Sequence, residues 1–271
     1  MNSKVFHNWL NISSKNFNKG IHFGHKSIRL AKTPFWHPLM SDYFSGIRDN
    51  VSLLNTQQSL KCVLRAFHII ALILKQKGRI LVINTNPEFF RLCNNLTHLT
   101  LLDTSKSVKN SFSTNLKNNK RKKKKFKTPL ISYVSYKWIG GTLTNWKQIS
   151  KSVLTFAKFS ERCEKFLVKN NINFPKYMRV KKCFQGLLYK EKQQMYLAFN
   201  QQPDLIFLIN PNENQGILHE AFRLNIPVIA LTESSTNSTQ ITYPIPVNNY
   251  SIKFIYFCLK KIIKIAQYAK L

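Results

Sequence analysis

Four groups of residues have types and spacings that could carry chemistry. His22 and His25, in Gly20-Ile-His-Phe-Gly-His25, stand three apart, a spacing able to offer two metal ligands. No cysteine or carboxylate pair lies nearby at a matching spacing, so two histidines packed in a tight turn are the commoner reading. Gly140-Gly141-Thr-Leu-Thr-Asn145 falls between an expected strand and an expected helix, where α/β folds bind phosphates. It lacks the Walker pattern and the dinucleotide glycine fingerprint, so close backbone packing and contact with RNA phosphates compete with a nucleotide site. Lys120, Arg121, Lys122, Lys123, Lys124 and Lys125 form an unbroken cationic run. Lastly, cations interleave with aromatics at Arg29, Lys32, Trp36, Arg48, Lys137, Trp138, Trp146 and Lys147. Such mixtures suit nucleic acid, with cations on phosphates and rings stacked on unpaired bases. For Trp138 an equal alternative is a ring that anchors a loop to the core.

The acids offer less. There are 11 Asp and Glu, none in a recognisable catalytic motif, and no Ser/His/Asp or Cys/His arrangement can be drawn. No cofactor is called for. The five cysteines, Cys62, Cys93, Cys163, Cys183 and Cys258, are far apart and never form a C-x-x-C pair. They are expected to be reduced, mostly structural thiols.

Charge sets the class of partner. Against the acids stand 42 Lys and Arg, for a net charge of +31 over 271 residues. A charge this lopsided repels itself unless a polyanion neutralises it. Nucleic acid and an anionic membrane surface are the candidates, and an enzyme for small neutral substrates is disfavoured. The 44% of hydrophobic residues suffices to build a core. No run reaches the ~18 apolar residues of a membrane span. Abundant Asn, Lys, Ile and Phe with little Gly and Ala suggests an AT-rich genome, such as an organelle's.

The elements that must position these residues alternate. Short strands are expected at Val51–Asn55, Arg79–Ile83, Leu130–Val134, Asp204–Ile209, Ile226–Leu231 and Tyr243–Val247. Helices are expected at Gln58–Gln76, capped by Gly78, then at Pro87–Leu96, Lys147–Lys169, Arg179–Phe199, Gln215–Leu224 and Ser251–Lys270. Gly20–Asn50 reads as loops and turns, and Trp138–Trp146 as a turn-rich junction. Strand–helix alternation implies βαβ units and a mainly parallel sheet. The expected organisation is a basic N-terminal extension at 1–19, uncleaved, and an α/β/α domain at 20–146 and 201–271. A Lys-rich loop at 104–128 and a helical hairpin at 147–200 interrupt it. The loop holds ten Lys or Arg and no acid, about a third of the net charge, and too little apolar surface to fold by itself.

Three blocks together resemble the bacterial-type small-subunit ribosomal protein S-two family. The first is Gly20-Ile-His-Phe-Gly-His25 with Trp36-His-Pro-Leu-Met40 and Gly46-Ile-Arg48. The second, the most specific, is Lys137-Trp-Ile-Gly-Gly-Thr-Leu-Thr-Asn145. The third runs from Pro203-Asp204 through Glu220-Ala221, Leu224 and Ile226-Pro-Val228 to Tyr243-Pro-Ile-Pro246 and Asn248. Departures are the 104–128 insertion, Asn50 in place of a common glycine, and Thr232-Glu-Ser-Ser-Thr-Asn237 where the family has D-T-N-x-D-P.

The resemblance implies a flavodoxin-like three-layer α/β/α domain with a protruding antiparallel helical hairpin. It also implies a structural, non-enzymatic role on small-subunit rRNA near the head–body junction, beside neighbouring small-subunit ribosomal proteins. No membrane span and no homo-oligomer are expected, and the mitochondrion is favoured over the plastid. The expected RNA contacts are Arg29, Arg48, Lys137, Asn145, Lys147 and the run from Lys120 to Lys125. The rival is a nucleotide-binding α/β enzyme that uses the Gly140-Gly141 turn.

Overall fold

The computed structural model describes residues 21–26, 37–92, 130–184, 186–191, 194–197 and 202–269. The N-terminal extension and the Lys-rich segment therefore lie outside the described residues.

Five parallel strands form the centre: β4 (Ile80–Ile83), β5 (Ile131–Val134), β8 (Leu205–Leu208), β9 (Val228–Thr232) and β10 (Tyr243–Pro246). Their order across the sheet is β10-β9-β8-β4-β5. Every side chain of β4, β8 and β9 is buried, which explains why their sequences are continuous apolar runs rather than alternating ones. Ile80 faces Ile131 on one side and Leu205 on the other, so β4 is held in register from both neighbours. Pro244 and Pro246 cannot donate to a ladder, and they occupy the edge strand, where a missing N–H costs least.

Helices cover both faces. On one, α1 (Thr56–Lys75) and α5 (Ile252–Ala269) pack together over Ile80, Val82, Leu205, Phe207 and Ile229. On the other, the base of α2 (Trp146–Lys169) and α4 (Gln215–Arg223) cover Leu81, Ile83, Ile206, Leu208 and Val228. Alternate strand residues thus feed two separate cores, as the two-residue period of a strand requires.

Helix ends show how a chain with only eight glycines makes its turns. The expected cap glycine, Gly78, is displaced by one residue. Lys77 takes the left-handed conformation, with φ of 61°, and Gly78 follows it, donating to the Ile73 carbonyl at 2.9 Å. A Cβ on Gly78 would meet the Ile73 side chain at 2.6 Å, so glycine is needed there for space rather than for φ. Asn171 after α2 and Asn225 after α4 take the same left-handed role.

Two other expectations need correcting. Gly20–Asn50 is not all loop: β1 (Phe23–Lys26) and β2 (Phe44–Arg48) flank β3 (Val51–Leu54) in a small antiparallel sheet. Its ladders carry register shifts, which blur the two-residue pattern that would have marked the strands. Asp49 and Asn50 close the β2–β3 hairpin with φ of 51° and 60°. That explains how Asn50 replaces a glycine, since asparagine tolerates this region better than most residues. Ahead of β2, the His37 amide donates to the Ser234 carbonyl in the loop after β9 at 2.9 Å.

The expected helix over 179–199 instead begins at Pro175 and ends at Phe184. α3 (Pro175–Phe184) gives way to an antiparallel pair, β6 (Leu188–Glu191) and β7 (Gln194–Leu197). Between them Gly186 passes so close to β5 that a Cβ would lie 1.5 Å from the Tyr133 carbonyl. That approach ends the helix, and Leu187 enters the core beside Val134 as a non-helical residue. Its apolar character is what made the helical pattern seem to continue.

Candidate nucleic-acid interface

The Gly140-Gly141 turn is built around one carboxylate. Glu220, on α4, accepts at Oε1 from the Gly141 amide (2.8 Å) and the Trp138 indole Nε1 (3.1 Å). Its Oε2 accepts from the amides of Leu143 (3.0 Å) and Thr144 (3.4 Å). Convergent backbone N–H groups of this kind make an anion-binding concavity. Here the anion is the protein's own. A nucleotide phosphate would have to displace a half-buried carboxylate that already holds four donors, so the turn does not act as a nucleotide site. Gly141 has a φ of 84°, which the curvature of the nest requires.

The same arrangement settles the aromatic question. Trp138 is tied to Glu220, and Trp146 is buried in the core under α2. Both anchor the loop instead of presenting a ring for base stacking. The polar residues around them point outward. Lys137, Asn145 and Lys147 are exposed, at the C-terminal end of β5 and the start of α2. The Asn145 side-chain amide donates to Gln148 Oε1 at 3.0 Å, and the Asn145 carbonyl starts the hydrogen-bond ladder of α2.

Arg48 belongs to a different element, the tip of the β2–β3 hairpin. It pairs with Asp49 at 3.6 Å, with side chains 80% and 91% exposed. So exposed a pair contributes little to stability and leaves the guanidinium free to exchange partners. Arg29 and the run Lys120, Arg121, Lys122, Lys123, Lys124 and Lys125 lie outside the described residues.

Two residues escaped the sequence reading. Glu220 stood in a resembling block, but nothing showed its part in a turn some eighty positions earlier. A solitary acid in a chain so short of acids was the available signal. Lys182, on α3, sits 5.7 Å from the Phe90 ring and 5.6 Å from the Tyr136 ring, beside the Lys137 loop. Its two aromatic partners are distant in sequence, so no spacing betrays it.

At the crevice between β4 and β8, Asn214 Nδ2 donates to Thr85 Oγ1 (2.6 Å) and to the Asn210 carbonyl (2.7 Å), and Asn84 bonds to both backbone groups of Asn86. This is where open α/β sheets usually take ligands; asparagine side chains bond across it, and that of Asn210 is buried there without a partner. Beside it, burial and the charge of Glu213 push the Glu233 carboxyl up to about 7. In the loop that replaces the family's acidic one, the Glu233 amide donates to Thr236 Oγ1 at 3.0 Å.

Beyond the loop, α2 and α3 pack through rings. Phe156 lies 5.9 Å from Tyr177 and 5.1 Å from Phe184. Glu164 joins the helices, accepting from Tyr177 OH at 2.8 Å and pairing with Lys181 at 2.7 Å. Burial and that bond hold the Tyr177 phenol above its ordinary value. Of the thiols, Cys62 and Cys258 are buried, and burial pushes Cys258 up, as expected of structural cysteines.

The family model for ribosomal protein S2 matches residues 17–98 and 110–269. The chain belongs to the ribosomal protein S2 family. It is 31% identical to the mitochondrial small ribosomal subunit protein uS2m of Marchantia polymorpha, over 80% of this chain and 78% of that one. It is 29% identical to uS2 of Rickettsia akari, over 90% of this chain and 72% of that one, and matches uS2 of Rickettsia felis at the same identity. S2 proteins are structural components of the small ribosomal subunit and not enzymes. The gap in the family match, between residues 98 and 110, falls at the start of the Lys-rich segment. Within the S2 frame, Glu220 is committed to the turn while Lys137, Asn145 and Lys147 stand exposed around it.

Proposed function

We propose that this chain binds small-subunit rRNA near the head–body junction and supports translation in an organelle, the mitochondrion in preference to the plastid. The observation that carries this is the division of polar groups around the second resembling block. The carboxylate that closes it, Glu220 of the third block, is consumed internally, while Lys137 and the neighbouring Lys147 face outward. Lys137, Asn145 and Lys147 form one contact area and Arg48 a second, and Arg29 and the run from Lys120 to Lys125 are further RNA contacts in this reading. The strand order supports a flavodoxin-like layout, since one strand, β5, lies on one side of β4 and three on the other. The α2/α3 pair is read as the limb that protrudes toward RNA. A composition rich in Asn, Lys, Ile and Phe and the likeness to a mitochondrial relative support the organelle.

Helix α1 has the length and mean hydropathy of a membrane span. However, it buries Val63, Ala66, Phe67, Ile70 and Leu74 against the sheet and exposes Lys61 and Arg65. We read it as a core helix, and the chain as one copy per subunit.

Sedimentation through high-salt sucrose tests the reading. The protein is expected to travel with small subunits and not with anionic liposomes. Recovery with liposomes alone would overturn it.

A further inference from the structure

One surface is not used by any of these contacts. The α1/α5 layer lies on the sheet face opposite the Glu220 turn, and neither helix contains an Asp or Glu. Their cations are Lys61, Arg65 and Lys75 on α1, and Lys253, Lys260, Lys261 and Lys264 on α5. All but Lys261 are exposed. The helices lie side by side, with the rings of Phe67 and Phe257 6.3 Å apart in edge contact. Their outward faces therefore form one continuous surface.

Neither helix supplies an acid of its own to balance that surface. Lys61 and Arg65 stand four apart, as do Lys260 and Lys264, so each pair sets like charges beside one another on its helix. Lys261, in contact with the Phe257 ring at 5.7 Å, has its ammonium lowered by burial and by Lys264. Tyr256 is exposed one turn before Lys260, whose Nζ lies 5.8 Å from its ring. From Lys253 to Lys264 the cations extend about 16 Å along the helix.

We propose that the outer face of the α1/α5 layer, carrying Lys61, Arg65, Lys253, Lys260 and Lys264 around Tyr256, is a second docking surface for the sugar-phosphate backbone of RNA. This rests on the small-subunit reading above and names a surface that reading does not include. The chemistry selects RNA over the other polyanions. Protein–protein interfaces are depleted in lysine, and four of these five cations are lysines. An interfacial membrane helix needs a broad apolar face free for the bilayer. Here the apolar faces are spent on the core, through Ile70, Leu74, Phe254, Ile255 and Ile262, and only Leu72 and Ile252 are left exposed on the two helices as large aliphatic side chains. Phosphates need neither. They need fixed cations in a row, which a helix supplies.

The test uses small subunits stripped of this protein and rebinding of the full chain across a range of KCl concentrations. Changing Lys61, Arg65, Lys260 and Lys264 together to Ala is expected to flatten the log–log salt dependence by roughly 3 to 4, at about 0.9 per lost phosphate contact. A variant with Lys61, Lys260 and Lys264 changed to Arg keeps the charge and should keep the wild-type slope. A photoreactive phenylalanine in place of Tyr256 should crosslink to rRNA. Thermal melts followed by circular dichroism should match wild type, since all four alanine positions are exposed. An unchanged slope, or crosslinks to protein or lipid alone, overturns this surface while the rRNA-binding role stands. Failure of the wild-type chain itself to rebind overturns that role, and this proposal falls with it.

Discussion

The two helix layers that flank the sheet solve the same packing problem and treat charge in opposite ways. Each lays an apolar stripe on alternate residues of the same five strands. On the α2/α4 side two carboxylates are tied down: Glu220 to the amides of the Gly140-Gly141 turn, Glu164 to Tyr177 and Lys181. On the α1/α5 side there are no carboxylates to tie. In one layer acids serve as internal fasteners, so the cations near them are partly committed. In the other, cations face outward with nothing of their own helices to neutralise them. The contrast teaches that a high net charge is not spread evenly by necessity. Glu220 is placed where it holds backbone amides, and the α1/α5 helices are left with cations alone.

Four measurements break or sharpen that contrast, and the inner faces give the largest effect. Phe67→Ala should cost about 3–5 kcal/mol in urea unfolding, because the ring is fully buried between α1 and α5. A much smaller cost would mean that the layer is not packed as a core. Next, Glu220→Ala strips an acceptor from four donors, and a loss of roughly 2–4 kcal/mol is expected. It should also open the amide nest. Weak, saturable phosphate binding in the variant but not in the wild type would confirm that the carboxylate occupies an anion site.

Glu233 gives a pH-dependent effect. Its folded value, about 7, is raised above that of an unfolded glutamate, so the native state holds the proton more tightly. Stability from this group is full below the unfolded value, near 4.5, and is lost as pH rises through about 7. Glu233→Gln should therefore match wild type near pH 4.5 and exceed it by about 1–2 kcal/mol at pH 8, once partial solvent screening is allowed for. Equal stabilities at pH 8 would mean that the carboxyl is solvated. The smallest effect belongs to Asp49→Ala, which removes the exposed partner of Arg48. A change under ~0.5 kcal/mol is expected from the ion pair, plus whatever the left-handed turn loses without aspartate.

How much of this was legible in the residues follows from how local each cause is. The strands β4, β8 and β9 announced themselves because burial on both faces writes an unbroken apolar run. Helices α1 and α5 were readable because one-sided burial writes a three-to-four-residue period. The ends of elements were less readable. Lys77 and Asn225 reverse the chain where glycine is the usual signal, and α3 stops for a reason outside its own sequence, the approach of Gly186 to Tyr133. The candidate surface divides the same way. Lys137, Asn145 and Lys147 were named from their block and found exposed, whereas Trp138 and Trp146 turned out to be anchors.

The sequence by itself determined the class of partner, the alternation of elements and the family, because charge balance, periodicity and short motifs are all properties of residue order. Only the tertiary structure decided which groups are available. Hydrogen-bond reach is a few ångströms in space and has no fixed length along the chain. The carboxylate that closes a glycine turn, the lysine held between two rings and the pair of helices that share an acid-free face emerge only when distant segments meet.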